Sequence, residues 1–182
     1  GDRVACAGAQ CAFHAEYICV SRNLVVKVPA KLSLDEASTV TLGAIAMQGV
    51  RRANPTLGET FVVIGAGILG QLTVQMLKTN GCRVIVSDLD HSRIEIAVKN
   101  GADFGINPDH GLDVEQVARI SAGVGADGVI ITAATSSDSV VSTAFQMCRR
   151  KGRVVLVGDV GLNLNREDFY QKEIDFFIST SY

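Results

Sequence analysis

Three glycines at a fixed spacing are the residues with the clearest chemical meaning: Gly65, Gly67 and Gly70. They follow the apolar run 61–64 and precede a segment with helical periodicity. In such a strand–turn–helix unit the first glycine permits a tight turn, the second lets the main chain approach a phosphate, and the third lets helix and strand pack closely. We therefore predict that the N–H groups around Ile68 and Leu69 bind a diphosphate at the positive end of the helix dipole.

An acidic residue, Asp88, stands where the next predicted strand ends. A carboxylate at this tip can accept hydrogen bonds from both hydroxyls of an adenosine ribose, whereas a 2′-phosphate would face both Asp88 and Asp90. Two like charges about 4 Å apart repel by ~1 kcal/mol in water and ~4 kcal/mol at an effective dielectric near 20. Because no arginine directly follows Asp88, the pattern favours NAD over NADP.

Two further residues belong to the predicted adenosine subsite, Leu89 and Arg93. Arg93 lies in the first turn of the next predicted helix, where its guanidinium either covers the adenine face or remains a solvated helix charge. Two alternatives to dinucleotide binding stay open: glycines that serve packing only, and an S-adenosylmethionine methyltransferase. The coincidence of turn, helix and acid disfavours the first. A complete six-strand pattern disfavours the second, because methyltransferases usually end their sheet with a reversed strand.

Strands and helices alternate regularly after residue 60. The predicted strands are 61–64, 83–87, 104–106, 128–132, 153–157 and 174–179, and the predicted helices are 71–80, 92–100, 113–121 and 137–149. Links this short between parallel strands require right-handed crossovers. The sequence therefore predicts an α/β fold, a six-stranded parallel Rossmann sheet with helices on both faces.

The first third of the chain has a different pattern. Residues 4–6, 15–20 and 24–28 are β-prone runs separated by turn-forming residues. Ser33 and Glu36 form a capping box at the start of a predicted helix over 34–53, which Asn54-Pro55 ends. A Gly1 start in place of Met leads us to expect a piece of a longer polypeptide.

Composition excludes several classes of protein. With 47% apolar and 20% charged residues in 182, the chain has the profile of a globular domain and not of a disordered one. A net charge of −2 argues against nucleic-acid binding, and the apolar runs are too short to span a membrane. Five scattered cysteines without a Cys-x-x-Cys pair, and no signal peptide, lead us to expect the cytoplasm.

Several short phrases together resemble the zinc-type (medium-chain) alcohol and polyol dehydrogenase superfamily. They are Gly1-Asp2-Arg3-Val4, Ala15-Glu16-Tyr17, Lys27-Val28-Pro29, Leu57-Gly58-Glu59-Thr60, Ser87-Asp88-Leu89 with Arg93, and Asn100-Gly101-Ala102-Asp103. The similarity covers nearly the whole chain. Three longer phrases, at 13–17, 41–46 and 166–170, are similar to bacterial bi-domain oxidoreductases.

The resemblance implies a division of the chain and an activity. Residues 1–32 would be the tail of a GroES-like catalytic domain, 33–55 a connecting helix and 56–182 the NAD-binding Rossmann domain. The nicotinamide would meet the strand tips at Ala133, Val157, Gly158 and Asp159. The parent reaction would be hydride transfer between nicotinamide and the alcohol or carbonyl carbon of a small molecule, perhaps a sugar. Related dehydrogenases also dimerise through the edge strand, here 174–179.

The zinc ligands of the superfamily are not reproduced. Only Cys6 and Cys11 follow the opening phrase, at the wrong spacing for the structural zinc, and the third catalytic ligand would fall at Val40 or Thr41. We therefore expect no zinc in this chain. A site built from Cys6, Cys11, Cys19 and His14 fits no known spacing.

No catalytic residue is assigned from the sequence. His14 is the best remaining acid/base candidate, while His91 and His110 are expected to be solvated. Tyr170 and Lys172 are two residues apart and not the four of a short-chain dehydrogenase dyad. We expect Cys82 and Cys148 to be buried, and 149–151 to stabilise the negative end of a helix.

Two functions from different classes follow from this sequence. In the first, the chain is the coenzyme-binding part of an oxidoreductase and turns over poorly or not at all without its substrate half. In the second, it is a non-catalytic dinucleotide-sensing or assembly domain that uses the same pocket.

Overall fold

A six-stranded parallel sheet forms the centre of the computed structural model, which describes residues 1–108 and 113–180. Its strands are β3 (Thr60–Ile64), β4 (Arg83–Ser87), β5 (Phe104–Ile106), β6 (Ala126–Ile131), β8 (Cys148–Leu156) and β10 (Asp175–Ile178). Their spatial order is β5-β4-β3-β6-β8-β10, with every neighbouring pair parallel. This is the order of two mononucleotide-binding halves, and it confirms the predicted Rossmann sheet.

Helices cover both faces of the sheet. They are α1 (Leu34–Ser38), α2 (Val40–Ala53), α3 (Ile68–Thr79), α4 (His91–Lys99), α5 (Asp113–Ile120), α6 (Ser139–Met147) and the short α7 (Arg166–Phe169). Alternate residues of β3 enter two separate buried clusters. Phe61 and Val63 pack with Leu77 of α3, whereas Val62 belongs to the cluster that contains Phe145 of α6. Burial on both faces explains why β3 is a continuous apolar run.

Two small parallel strands extend beyond the main sheet, β7 (Ala134–Thr135) and β9 (Asp159–Val160). They continue the chain past the carboxyl ends of β6 and β8. The pair therefore lies at the carboxyl ends of the sheet strands, the same end at which the glycine turn follows β3.

The front segment contains one hairpin-like pair, β1 (Val4–Cys6) and β2 (Val25–Lys27), which run antiparallel. The predicted strand over 15–20 is wrong, because these residues form bends and irregular chain and Tyr17 is 92% exposed. A β-prone run becomes a strand only where a neighbouring strand offers its backbone groups. Only β1 and β2 are paired in the front segment, so Ala15–Val20 remains irregular although its residues favour strands.

Most predicted boundaries hold within a few residues, and two predicted helices differ from the structure. The helix predicted over 34–53 is divided between α1 and α2 at Thr39, and its Ser33–Glu36 capping box is confirmed. The helix predicted over 71–80 begins earlier, at Ile68, because Gly67 is its N-cap.

The predicted role of 149–151 at a helix end is wrong. Helix α6 ends at Met147, and Arg149 lies in β8, where its Nε donates to Asp127 Oδ1 at 2.6 Å. The cation at the helix end is instead Lys172, whose Nζ donates to the carbonyls of Phe145, Gln146 and Cys148 at 3.2, 2.8 and 2.9 Å. Cys82 and Cys148 are buried, as predicted.

Strand β10 is an edge strand that pairs only with β8 in the sheet. Among the described residues, no helix is long and apolar enough to cross a membrane. The division into 1–32, 33–55 and 56–182 stays a prediction.

Candidate functional site

The glycine turn joins the carboxyl end of β3 to the start of α3. Gly65 has φ +96°, a backbone conformation that L side chains rarely adopt. A Cβ there would lie 2.7 Å from the backbone nitrogen of Ala133, and one on Gly70 would lie 1.9 Å from the carbonyl oxygen of Gly65. At both positions main-chain atoms therefore occupy the space that a side chain would need, and a side chain at either would displace the turn.

Gly67 is different, because the space beside it is open. Apart from its chain neighbours, no heavy atom of the described residues lies within 4 Å of the position that its Cβ would take, and Gly67 is the N-cap of α3. The first intrahelical bond joins the Gln71 N–H to the Gly67 carbonyl at 2.9 Å. The N–H groups of Ile68 and Leu69 precede that bond and have no partner within the helix. This open helix start fits an anion with several oxygens, such as a diphosphate.

Asp88 lies directly after β4 and touches the glycine turn. Its Oδ2 accepts a hydrogen bond from the Ala66 N–H at 2.6 Å, and its Oδ1 accepts one from the Asp90 N–H at 2.8 Å. Each carboxylate oxygen has two lone pairs, so both retain capacity to accept from a sugar hydroxyl. The residue predicted to bind the ribose is thus held beside the turn predicted to bind the diphosphate.

The first turn of α4 borders the same region. Asp90 is the N-cap, and its Oδ1 accepts from the Ser92 N–H at 2.9 Å and the Ser92 hydroxyl at 2.6 Å. These hydrogen bonds, with the Ser92 hydroxyl foremost, lower the pKa of the Asp90 carboxyl. Arg93 Nε lies 3.4 Å from Asp90 Oδ2 in an exposed ion pair. Leu89 is exposed, and its carbonyl accepts a hydrogen bond from Asn107 Nδ2 at 3.0 Å.

The strand tips opposite the turn meet at Ala133. A Cβ on Gly158 would lie 2.0 Å from the Ala133 carbonyl oxygen, and Gly65 approaches the same residue from the other side. The N–H groups of Val157 and Gly158 both donate to the Ile131 carbonyl at 2.9 Å. Beyond these tips lies an open cleft of about 500 Å³, lined by residues 134–136 and 159–161. Asp159 is exposed beside this cleft.

Two polar residues of this region make contacts that the sequence did not indicate, Thr132, at the predicted nicotinamide tip, and Gln71. The Thr132 hydroxyl donates to the Gly65 carbonyl at 2.7 Å. Gln71 Nε2 donates to the Ala66 carbonyl at 3.0 Å and to the Arg93 carbonyl at 2.9 Å. The only sequence signal for Gln71 is an amide directly after the third glycine, where an apolar residue would also continue the helix.

The other predicted candidates lie away from this geometry. His14 is exposed in an irregular stretch, and His91 is exposed beside Glu95. His110 lies outside the described residues. Lys172 is engaged at the end of α6, as described above. None of these supplies a catalytic assignment.

The residues in the zinc position of the superfamily do not fit a metal. Val40 has no ligand atom, and the Thr41 hydroxyl donates to the Cys6 carbonyl at 3.3 Å. Within residues 1–108 and 113–180, no group of three or more His, Cys, Asp or Glu side chains is placed to hold a metal ion.

The fold and the turn define a Rossmann coenzyme-binding domain. A family model described as "Zinc-binding dehydrogenase" matches residues 69–182. The chain therefore belongs to the zinc-binding dehydrogenase family and forms the coenzyme-binding domain of a medium-chain dehydrogenase, which confirms the resemblance seen in the sequence.

Curated relatives and solved structures agree with this assignment. An alcohol dehydrogenase of Geobacillus stearothermophilus is 33% identical over 80% of this chain and 42% of its own length. A D-guloside 3-dehydrogenase of Escherichia coli is 37% identical over 58% of this chain and 31% of its own. A short chain alcohol dehydrogenase of Escherichia coli, solved with NADH, matches 89% of this chain and 48% of its own with 27% identity and a TM-score of 0.80. The chain thus spans less than half the length of these relatives.

Proposed function

We propose that this chain binds NAD(H) in preference to NADP(H) and holds it for hydride transfer to or from an alcohol or carbonyl carbon of a small molecule, such as a sugar. The nicotinamide would supply the hydride acceptor or donor. The Gly65–Gly70 turn would hold the diphosphate, Asp88 the adenosine ribose, and the tips at Ala133 and Val157–Asp159 the nicotinamide end.

One observation carries the coenzyme preference: the Asp88 carboxylate is hydrogen-bonded to the Ala66 N–H at 2.6 Å. It therefore lies at the edge of the diphosphate turn, where the ribose attached to that diphosphate would follow. A 2′-phosphate on this ribose would meet the carboxylate, and the exposed Asp90 would add to the repulsion.

The substrate class is supported by the relatives. Proteins named alcohol dehydrogenase, butanediol dehydrogenase and D-guloside 3-dehydrogenase match 58 to 88% of this chain. We propose that the substrate-binding half, including any proton relay, lies outside these residues, so that the chain alone binds coenzyme but turns over poorly or not at all. We derive no step through zinc, because Val40 and Thr41 do not supply a ligand.

Strand β10 lies at the edge of the sheet, and among the described residues no strand pairs with its outer side. We propose that a second copy of the chain pairs there.

We further propose a reducing compartment such as the cytoplasm, in which the five cysteines would stay free thiols.

Fluorescence titration of the 182-residue chain with NADH tests the binding, and a hydride-transfer assay with alcohols and sugars tests the activity. We expect saturable binding and little turnover. The same assay on a longer polypeptide that includes the catalytic half should show turnover. An absence of NADH binding would contradict the proposal.

A dinucleotide-sensing or assembly domain is the second candidate. One observation favours it: Thr41 stands where the family places a zinc ligand, and its hydroxyl donates to the Cys6 carbonyl. NADH binding without turnover in the longer polypeptide, together with a coenzyme-dependent change in oligomeric state, would support this second function over the first.

A further inference from the structure

Gln71 joins the two parts of the coenzyme site. We propose that it is a positioning residue that keeps the diphosphate turn and the adenosine subsite in register, an inference that rests on the proposed function. Gln71 belongs to the first turn of α3, and its side chain lies between two backbone segments. In the proposed complex one segment borders the diphosphate and the other borders the adenosine.

The first segment is the glycine turn. Ala66 is 2% exposed, and both of its backbone polar groups are bonded to side chains. Its N–H donates to Asp88 Oδ2 at 2.6 Å, and its carbonyl accepts from Gln71 Nε2 at 3.0 Å. The turn is therefore held from two directions, by the tip of β4 and by its own helix.

The second segment is the first turn of α4. Gln71 Nε2 also donates to the Arg93 carbonyl at 2.9 Å, so one NH₂ group serves two carbonyls. The Gln71 amide oxygen lies 3.5 Å from Asn100 Nδ2 at the end of the same helix, which orients the amide. Helix α4 also carries the Asp90 cap beside Asp88. The placement of helix α4 relative to the glycine turn therefore sets the distance between the predicted ribose position and the predicted diphosphate position.

The chemistry of this bridge requires an amide. Two carbonyl acceptors need two N–H donors, which glutamine supplies. Methionine has a stem of the same length but no donor, and glutamate has only acceptors. Loss of the bridge would leave each subsite formed but let one move relative to the other. A ligand that spans both should lose affinity, whereas a ligand that occupies mainly one should not.

The test compares ADP-ribose, which spans the turn and the adenosine subsite, with AMP, which occupies mainly the adenosine subsite. Gln71→Met should weaken ADP-ribose binding about tenfold and AMP binding by less than about twofold, measured by calorimetry. The matched control is Gln75→Met, one turn later on α3, because within the described part of the chain Gln75 Nε2 donates only to the Gln71 carbonyl, at 3.2 Å. That variant should bind both ligands as the wild type does.

Gln71→Glu, with Gln75→Glu as its charge control, should reproduce the selective loss and covers the case in which the methionine variant folds poorly. Equal losses for both ligands, together with a lower melting temperature, would mean a general loosening and would overturn the inference, as would unchanged ADP-ribose affinity. A wild-type chain that binds neither ligand would overturn the proposed function itself. Wild-type binding with unaffected variants would overturn only the role of Gln71.

Discussion

The Asp88 carboxylate and the Ala66 N–H are joined by a hydrogen bond of 2.6 Å, which links the tip of β4 to the glycine turn. The carboxylate therefore has two roles, since it braces the turn and presents negative charge where a ribose would bind. Substitutions at Asp88 can separate these roles because asparagine keeps an acceptor oxygen but removes the charge.

Asp88→Asn should reduce the preference for NADH over NADPH from about tenfold or more to near unity, because the 2′-phosphate no longer meets a charge. Asp88→Ser should narrow the preference as well, with weaker binding of both coenzymes, since it also loses the contact with Ala66. Affinities are measured by calorimetric titration. Asp90→Asn is the matched control, because asparagine caps a helix as well as aspartate and the preference should change less. An unchanged preference in Asp88→Asn would show that the charge does not select the coenzyme.

Gly67→Ala should weaken NADH binding about tenfold or more, since the added Cβ would project into the open space beside the helix start. The free energy of unfolding should change by less than about 1 kcal/mol, because among the described residues only chain neighbours lie within 4 Å of that Cβ. Gly43→Ala in α2 is the control, since its Cβ would also meet no described atom outside its own helix within 4 Å. It should stabilise the chain by about 1 kcal/mol and leave NADH binding unchanged. Wild-type affinity in Gly67→Ala would remove Gly67 from the site.

Arg153 and Glu59 form an ion pair with side chains 15% and 16% exposed, at the end of the sheet opposite the coenzyme site. Arg153 also donates to the carbonyls of Ala53 and Asn54. Arg153→Met should lower the free energy of unfolding by about 3 kcal/mol, because Glu59 would remain largely buried without its partner. Arg150→Met, on the same strand, breaks only an exposed pair and should cost less than about 1 kcal/mol. Urea unfolding measures the free energies of unfolding of both variants. Equal losses would contradict the stabilising role of the ion pair between Arg153 and Glu59.

The same pair predicts a pH dependence. Burial raises the pKa of the Glu59 carboxyl, but hydrogen bonds and charge from Arg153 and the Thr56 N–H outweigh it and hold the pKa below its ordinary value. A carboxyl whose pKa is lower in the folded state than in the unfolded state stabilises the fold fully at pH values above the unfolded pKa, which is about 4.3 for glutamate. This stabilisation is lost as the pH falls through the folded pKa. Wild-type stability should therefore decline below about pH 5 more steeply than that of Glu59→Gln. Parallel declines would contradict the role of Glu59.

Lys172→Met should destabilise the chain by about 1–2 kcal/mol, because three carbonyls at the end of α6 lose their cationic donor. Burial lowers the pKa of this lysine, although neighbouring Cys148 and Asp168 raise it. Lys151→Met is the control, since among the described residues the Lys151 side chain makes only an exposed ion pair with Glu173. Thermal unfolding at neutral pH measures the difference, and identical transitions for the two variants would exclude the helix-end role.

The parallel sheet and the glycine turn could be predicted from the sequence because both leave local patterns in it. Continuous apolar runs mark doubly covered strands such as β3. The glycine spacing marks a turn in which backbone contacts leave no room for a side chain at Gly65 and Gly70. The acid at the tip of β4 follows from the same unit.

The contact of Gln71 with Arg93 and the contacts of Thr132 and Lys172 could not be predicted, since their partners are backbone carbonyls of distant segments. Whether such a carbonyl points toward a side chain depends on how helices pack on the sheet, which leaves no local pattern. The failed strand over 15–20 has a related cause, because strand formation needs a neighbour that residue preferences do not reveal.

Calorimetric titration of the wild-type chain with NADH and with NADPH measures whether Asp88 selects the coenzyme. We predict that NADH binds at least about ten times more tightly than NADPH. Equal affinities, or tighter binding of NADPH, would contradict it.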